Sequence, residues 1–500
     1  MKTLLVLTGL FVGSLACSGQ ANAELMAGTA KIDITEPTAA SNDPLYAKAL
    51  VLKDGDTSFV LITVDAVSIG GIGHISNDYL GTIRESIQRS HGVPPKHVFV
   101  NASHCHGIVC RDVAAKTADC VAQAWKSLVP VRAAAGIGQE VRIMENRRLK
   151  LKDGSEADVR HAYSMPWDDE VVSIGPVDPE IGLLRLDRLD GTPLAVVYNF
   201  ACHPILGVPA GTSSADFPGF ASRVIEENLG HDSMAFFIQG CAGDINPVIY
   251  KGVHEPHDCE PFGNMLGLNV LRGLRTMTSA PDATLRVVNE SLELPRALDF
   301  DTRITALQAE QTKLLQSLKG TSLNFKTFVP LYLQYRLEPE FPSYYSHRYM
   351  LDKANNRPDL EKLDATNRAN MEAYVQNIRT MEKLTRLQTN LDLLKMHKKQ
   401  TDDAGSKPLE VEVGGLRLGD FVLVTFPGEL TVQIGLNIKQ ASPHRFTFVA
   451  GYTNGYIYYT PTAEQRLNTG YAQEDCDTLV APEWQGLFET KVQSVLKTLE

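Results

Sequence analysis

The sequence predicts an α/β protein: a multilayer core of mixed or largely parallel sheet, with a helical insertion. Three observations carry this expectation. Up to about residue 283, near-continuous apolar runs of strand length alternate with amphipathic stretches. From about 301 to 399 the composition shifts to Leu, Gln, Lys, Glu and Arg, with few β-branched residues. After Lys407 the strand-like runs return. Apolar runs separated by helical patterns suit strands buried on both faces of a sheet.

The chain opens on a stretch that reads as a targeting segment, residues 1–23. Lys2 gives a positive start, residues 4–16 form a short apolar run, and Ala21, Asn22 and Ala23 make a small-residue cleavage pattern. The mature chain is then expected to begin at Glu24, as one domain over 24–500 with a helical subdomain at about 301–399. The apolar run is too short to span a bilayer. An uncleaved N-terminal anchor is one alternative. Lipoprotein attachment through Cys17 is another, although Ser14 stands where an aliphatic residue is usual. The expected destination is the periplasm or the outside of the cell.

Within the mature chain, 59–64 is a strand run and 77–89 an amphipathic helix. Further strands are expected at 98–100, 194–200 and 234–238, with helices at 220–229 and 261–277. In the insertion, 301–318 and 365–396 read as long helices, and the aromatic stretch 339–349 as a loop. The insertion could equally be further helices of the same domain. Residues 409–413 alternate with period two, and 421–426 and 446–450 complete the strands.

Composition bounds the function. The 500 residues carry a net charge of -11 with 43% hydrophobic residues, ordinary for a globular protein. No basic run offers a face for phosphates, which argues against nucleic acid as a partner. No later stretch is apolar enough for a transmembrane segment. Loss of the targeting segment leaves seven of the eight cysteines. On spacing, Cys110 could pair with Cys120 and Cys241 with Cys259, and an odd total leaves at least one thiol free. Cys105 and Cys202, each beside a histidine, could instead meet in a folded site.

Four segments carry chemistry, and each follows a strand run, where ligands bind in α/β sheets. The first is 101–107, with His104 and His106. Two histidines two apart on extended backbone face the same side, and neutral imidazole is the commonest metal ligand. A purely structural pair remains the alternative. The second is 200–204, where His203 precedes Pro204, a restricted backbone position. With His104 it supports a catalytic metal, since such zinc sites commonly take three protein ligands and a water. The third is 239–247, where Gly240 and Gly243 allow close backbone approach and Asp244 and Asn246 face the cleft; a tight Asx turn is the alternative. The fourth comprises 426–429 and 454–459, where spacing alone does not single out Glu429 or Tyr459.

Taken in order, 101–107, Asn146 with Arg147, 200–204, 243–247, 427–429 and 454–462 resemble the catalytic domain of the neutral ceramidases, a family of zinc-dependent amidases. The resemblance spans most of the mature chain. It implies one Zn2+ per chain held by His104, His203, Glu429 and Tyr459. It further implies His106 beside the metal, Arg147 in the pocket and Tyr471 as a second pocket tyrosine. The departures are equally specific. Asn246 stands where ceramidases carry a serine near the scissile amide. Cys105 replaces the threonine between the histidines, and the glycine-rich run after them is missing. The C-terminal β domain is absent, and the segment 301–399 has no counterpart.

The expected activity is a zinc-dependent hydrolase using a metal-activated water on an amide bond of a small-molecule or lipid-like substrate. His106 is the candidate general acid or base. Tyr459 or Tyr471 would help stabilise the oxyanion. Asp244 would orient a ligand, and Arg147 would bind a polar or anionic substrate group. The alternatives are cleavage of an ester, lactone or glycosidic bond, and a zinc-binding protein without catalysis. Residues 341–349 are candidates for an acyl groove or for core.

Overall fold

The computed structural model describes residues 24–158, 160, 166–207, 212–248, 250, 257–280, 284–469 and 472–500. The expected targeting segment, Cys17 and Tyr471 lie outside the described residues.

Eight strands form the main sheet. In spatial order they are Met234–Gln239, Pro193–Phe200, Glu180–Arg188, Val129–Gln139, Met26–Asp33, Tyr46–Asp54, Thr57–Val64 and Val98–Ala102. Only the outermost pair at each edge is parallel. The inner pairs are antiparallel. The sheet is therefore mixed rather than largely parallel, the first of the two expected arrangements. The cause lies in the central strands. Met26–Asp33 and Val129–Gln139 are rich in Ala and Gly and lack the apolar run that marks a buried strand. Their small residues admit a closely packed helix. A Cβ on Gly28 would lie 2.1 Å from the Ala124 carbonyl oxygen in the helix Val113–Lys126.

A second sheet runs Leu285–Leu294, Leu409–Leu418, Phe421–Thr425 and Phe446–Ala450, with its last pair parallel. The two sheets stack face to face. Phe59, Leu61 and Phe99 of the first pack into one apolar cluster with Leu416, Leu423 and Phe448 of the second. Helices Tyr79–His91 and Val113–Lys126 cover part of the main sheet's outer face, through Ile83, Ile87 and Val121. Helices Asp216–Leu229 and Glu260–Leu274 cover the rest, through Phe217, Leu266 and Val270. Helix Trp484–Thr498 covers the second sheet through Trp484, Phe488 and Val492. The result is four layers, helix, sheet, sheet, helix.

This stacking brings strand ends from both sheets to one place. Asn101 donates to the Gly451 carbonyl at 2.9 Å and accepts from the Gln239 backbone N–H at 3.0 Å. Asn199 donates to Ile238 and Val449 carbonyls at 3.1 and 3.2 Å. These buried amides stitch the two sheets together just before the loops that bear His104, His203 and the segment after Ala450.

The insertion is helical: Phe300–Ser317, Phe325–Leu337, Ser346–Ala354 and Asp359–Asp403. The aromatic stretch expected as a loop runs into a short helix at Ser346. The last helix has 45 residues, roughly 67 Å at 1.5 Å per residue. Among the described residues, no helix is long and apolar enough to cross a membrane.

All seven described cysteines are free and buried, so the pairings Cys110–Cys120 and Cys241–Cys259 do not form. They serve as small core side chains. Cys241 and Cys259 belong to different apolar clusters, and the Cys120 thiol is turned to the Ala47 carbonyl.

Candidate metal centre

His104 lies just beyond the strand Val98–Ala102 with a backbone φ of 69°. That left-handed conformation is costly for a side chain with a Cβ. It is held by backbone bonds: the His104 N–H donates to Ala66 at 2.9 Å, and its ring Nδ1–H donates to Val67 at 2.5 Å. Tyr452, Asn454 and Tyr458, in the loop after Ala450, also have positive φ. His203 follows the strand Pro193–Phe200. Both its backbone N–H and its Nδ1–H donate to the Ile245 carbonyl, at 3.0 and 2.9 Å. With each Nδ1 proton committed to a carbonyl, each Nε2 presents a lone pair.

Both Nε2 atoms face one oxygen of Glu429, at 3.6 Å from His104 and 3.1 Å from His203. The ligand atoms of His104, His203 and Glu429 all lie within 4.8 Å of one another, and all three residues are buried. Tyr452 donates its hydroxyl to this oxygen at 3.1 Å, and Tyr456 donates to the other carboxylate oxygen. Burial opposes ionisation of Glu429, but the charge that His104 and His203 carry when protonated, together with the Tyr456 hydroxyl, outweighs it and holds the carboxyl well below its usual range. Burial pushes both imidazoles down, His104 to about 4. At neutral pH the site thus has one carboxylate and two neutral imidazoles aimed at a common point. That donor set fits a divalent cation. A buried His104–His203–Glu429 cluster could therefore hold a metal ion.

Tyr459 reaches the same place through a short parallel pairing. Glu429–Leu430 runs beside Tyr459–Thr460, with Glu429 in register with Tyr459. In-register neighbours present their side chains to the same face. The Tyr459 ring lies nearly parallel to His203, with centroids 6.5 Å apart. Arg160 and Arg147 stand over it at 4.7 and 5.4 Å. Burial raises the phenol well above its ordinary value, and the two guanidiniums oppose that rise.

The other expected site residues fall around this core. His106 is exposed, its ring edge-on to His104 at 6.4 Å. Arg147 is almost wholly buried, and its nitrogens are engaged within the protein. Nε donates to Glu474 at 2.6 Å, Nη1 to the Asn246 carbonyl oxygen at 3.1 Å and Nη2 to Gly243 at 2.6 Å. Asp244 accepts from the Val432 N–H at 2.7 Å and from Asn146 at 3.1 Å. Its carboxylate thus shapes the loop, and the neighbouring Ile245 carbonyl is what orients His203. The Asn246 side-chain NH2 is buried and has no hydrogen-bond partner among the described residues.

Several supporting residues are not singled out by sequence reasoning. Tyr452 and Tyr456 hold Glu429, and only the tyrosine-rich run 452–459 hints at them. Behind Tyr459, Arg160 donates to Asp477 at 2.8 Å. Asp477 also accepts from His397 at 2.7 Å, and its carbonyl accepts the Tyr459 N–H at 3.1 Å. His397 belongs to the long insertion helix, as does Gln400, which donates to the Tyr458 hydroxyl at 2.8 Å. The insertion is thus docked directly behind the candidate metal centre. No local pattern marks His397 for that place.

A comparison with protein-family models finds no match, and no curated protein matches either. Solved structures do match. A neutral ceramidase from Pseudomonas aeruginosa superposes with a TM-score of 0.60 at 16% identity, covering 96% of this chain and 75% of that one. A structure described as ceramidase complexed with C2 superposes with a TM-score of 0.59 at 15% identity, with the same coverage of 96% and 75%. The chain shares the fold of these proteins over nearly its whole length.

Proposed function

We propose that the protein is an exported zinc-dependent hydrolase that cleaves an amide bond of an N-acyl, lipid-like substrate. The observation that carries the reading is the buried His104, His203 and Glu429 trio at strand ends, in a chain that shares the ceramidase fold. Tyr459, in register with Glu429, is the proposed fourth ligand. When bound, zinc supplies Lewis acidity that lowers the pKa of a coordinated water towards about 7.

The chain's own residues divide the remaining work. His106, at the exposed edge beside His104, takes the proton from the attacking water and returns it to the leaving group. Asn246 offers a buried, uncommitted N–H donor to the substrate. Arg147 fixes the orientation of Asn246, because its donors are already satisfied by the protein. Tyr471 donates to the oxygen on which negative charge develops.

Asn246 also favours a second reading, an ester or lactone hydrolase. A carboxamide cannot carry a proton as a hydroxyl can. A departing amine needs protonation, whereas a departing alkoxide needs it less. Metal analysis of the purified protein, with turnover of N-acyl lipids, N-acyl amino acids, lactones and aryl esters, separates the readings. The expected result is about one zinc per chain, lost in His104→Ala and Glu429→Ala, with turnover of an N-acyl compound. Activity confined to esters or lactones selects the second reading. Bound zinc with no turnover selects a binding protein. Folded variants that keep full zinc remove the metal assignment.

A further inference from the structure

The helical insertion has a second surface, far from the metal centre. Between the helices Phe300–Ser317 and Asp359–Asp403, residues 318–358 form a hairpin tip built on Phe325–Leu337 and Ser346–Ala354. The inner side of Phe325–Leu337 packs on the long helix: Phe328 and Tyr335 are buried with Met371, and Phe328 stacks on Tyr374 at 4.3 Å. Its outer side is apolar too, yet uncovered. Phe325 is 70% exposed, Leu333 54% and Leu337 79%. At 3.6 residues per turn these three fall within roughly one third of the helix circumference. Tyr344 and Tyr345, just beyond, are 56% and 80% exposed. Exposed apolar side chains concentrated in this way mark an interaction surface.

Charge indicates what that surface meets. Lys326 and Arg336 lie among the exposed apolar residues, and the helix Phe325–Leu337 contains no acid. Across the tip, Lys319, Lys326, Arg336, Arg348, Lys353 and Arg357 outnumber Glu338, Glu340 and Asp352. The whole chain carries -11, so the tip is a basic patch on an acidic protein. Exposed Phe and Leu flanked by Lys, Arg and Tyr match the interface of a bilayer with anionic headgroups. A second copy of the same tip would bring like charges together.

We infer that this tip docks peripherally on anionic lipid surfaces. Phe325, Leu333 and Leu337 enter the headgroup region, and Lys326 and Arg336 pair with headgroup phosphates. Met371, which packs against the tip, and His397, which bonds behind Tyr459, stand roughly 40 Å apart along the long helix. The tip therefore anchors the molecule at a distance from the metal centre. That the anchor serves a lipid-like substrate rests on the proposed hydrolase; the docking itself does not.

Flotation of the full chain with vesicles tests it. Vesicles of phosphatidylcholine with phosphatidylglycerol are expected to carry the protein at low salt, at least tenfold better than phosphatidylcholine alone. A Phe325→Ser, Leu333→Ser, Leu337→Ser variant should lose that binding about tenfold or more, with its melting temperature and metal content unchanged. Lys326→Glu with Arg336→Glu should abolish the preference for anionic vesicles. Wild-type protein that stays unbound, or variants that float as well as wild type, overturn the inference. So does a dimer in sedimentation velocity that the serine variants dissociate while vesicles bind neither form. Vesicle binding does not depend on turnover, so failure of the hydrolase reading leaves this result standing.

Discussion

His104 and His203 are held by main-chain carbonyls, whereas Glu429 and Tyr459 are held by side chains from distant stretches. On the histidine side, Val67 and Ile245 accept the ring protons directly, and Asn101, Asn199 and Gln239 tie together the strands from which the two histidine loops leave. On the other side, Glu429 depends on the hydroxyls of Tyr452 and Tyr456. Tyr459 depends on a relay of Arg160, Asp477 and His397 that ends in the insertion helix. The difference separates a half-site that only folding can set from a half-site that single side chains can tune.

The strongest way to break this comparison is to remove a ligand. Glu429→Gln should drop bound metal from about one per chain to near zero and cut turnover by about a thousandfold or more. It leaves a neutral amide where a divalent cation held by two neutral imidazoles requires an anionic ligand. Metal analysis beside circular dichroism checks it, and a folded Glu429→Gln protein with full metal would dissolve the site as drawn. His397→Ala comes next. It strips one side-chain hydrogen bond from buried Asp477, which keeps Arg160, and should cost about 2 kcal/mol of stability. Through Arg160 and Tyr459 it should lower turnover about tenfold while metal is retained. The alanine variant with normal turnover would show that the insertion is only a structural neighbour.

A smaller effect sharpens the contrast. Tyr456→Phe keeps the ring and deletes one hydrogen bond to Glu429. Loss of a group that orients a metal ligand typically weakens affinity by about 10–100-fold, and competition with a chelator would read it. The histidine side has no equivalent substitution at the ligands themselves, because the acceptors of their ring protons are backbone carbonyls. Unchanged chelator competition in Tyr456→Phe would place the support of Glu429 elsewhere.

The same contrast explains how far the site was legible in the sequence. His104 and His203 each sit in a contiguous segment after an apolar strand, so strand ends and residue chemistry marked both. Glu429 and Tyr459 meet only through a two-residue parallel pairing, which no periodicity announces. The resemblance to ceramidases named them; spacing did not. The insertion's two long helices were legible from composition, and Phe300–Ser317 falls within a residue of its expected span, but Phe325–Leu337 and Ser346–Ala354 between them were not. Its contact through His397 was not, since a buried histidine on a long helix reads the same whatever it touches. The main sheet's inner strands were obscured by Ala and Gly, which pack against a close helix and leave no apolar signal. The cysteine pairings failed because spacing cannot tell a disulfide from a small core residue.

One support on the histidine side does titrate, and it gives the smallest effect. Asp216 accepts hydrogen bonds from the Phe217 N–H and from the Gly207 N–H, in the loop that follows His203. Burial pushes its carboxyl up to about 7 from an ordinary 3.8; those two donors oppose the rise and Asp43 adds to it. Between about pH 4 and 7 the folded chain keeps a proton that the unfolded chain releases. This contribution to stability is therefore full below about pH 4 and is lost as the pH rises through 7. Asp216→Asn cannot ionise, and asparagine tolerates the positive φ of this position. The variant's melting temperature relative to wild type should thus climb between pH 5 and 7.5, by about 2 °C per kcal/mol regained. Taking the difference between the two proteins at each pH cancels the titration of other groups. A flat difference would mean that Asp216 is ionised throughout, and that the loop after His203 is held as independently of pH as His203 itself.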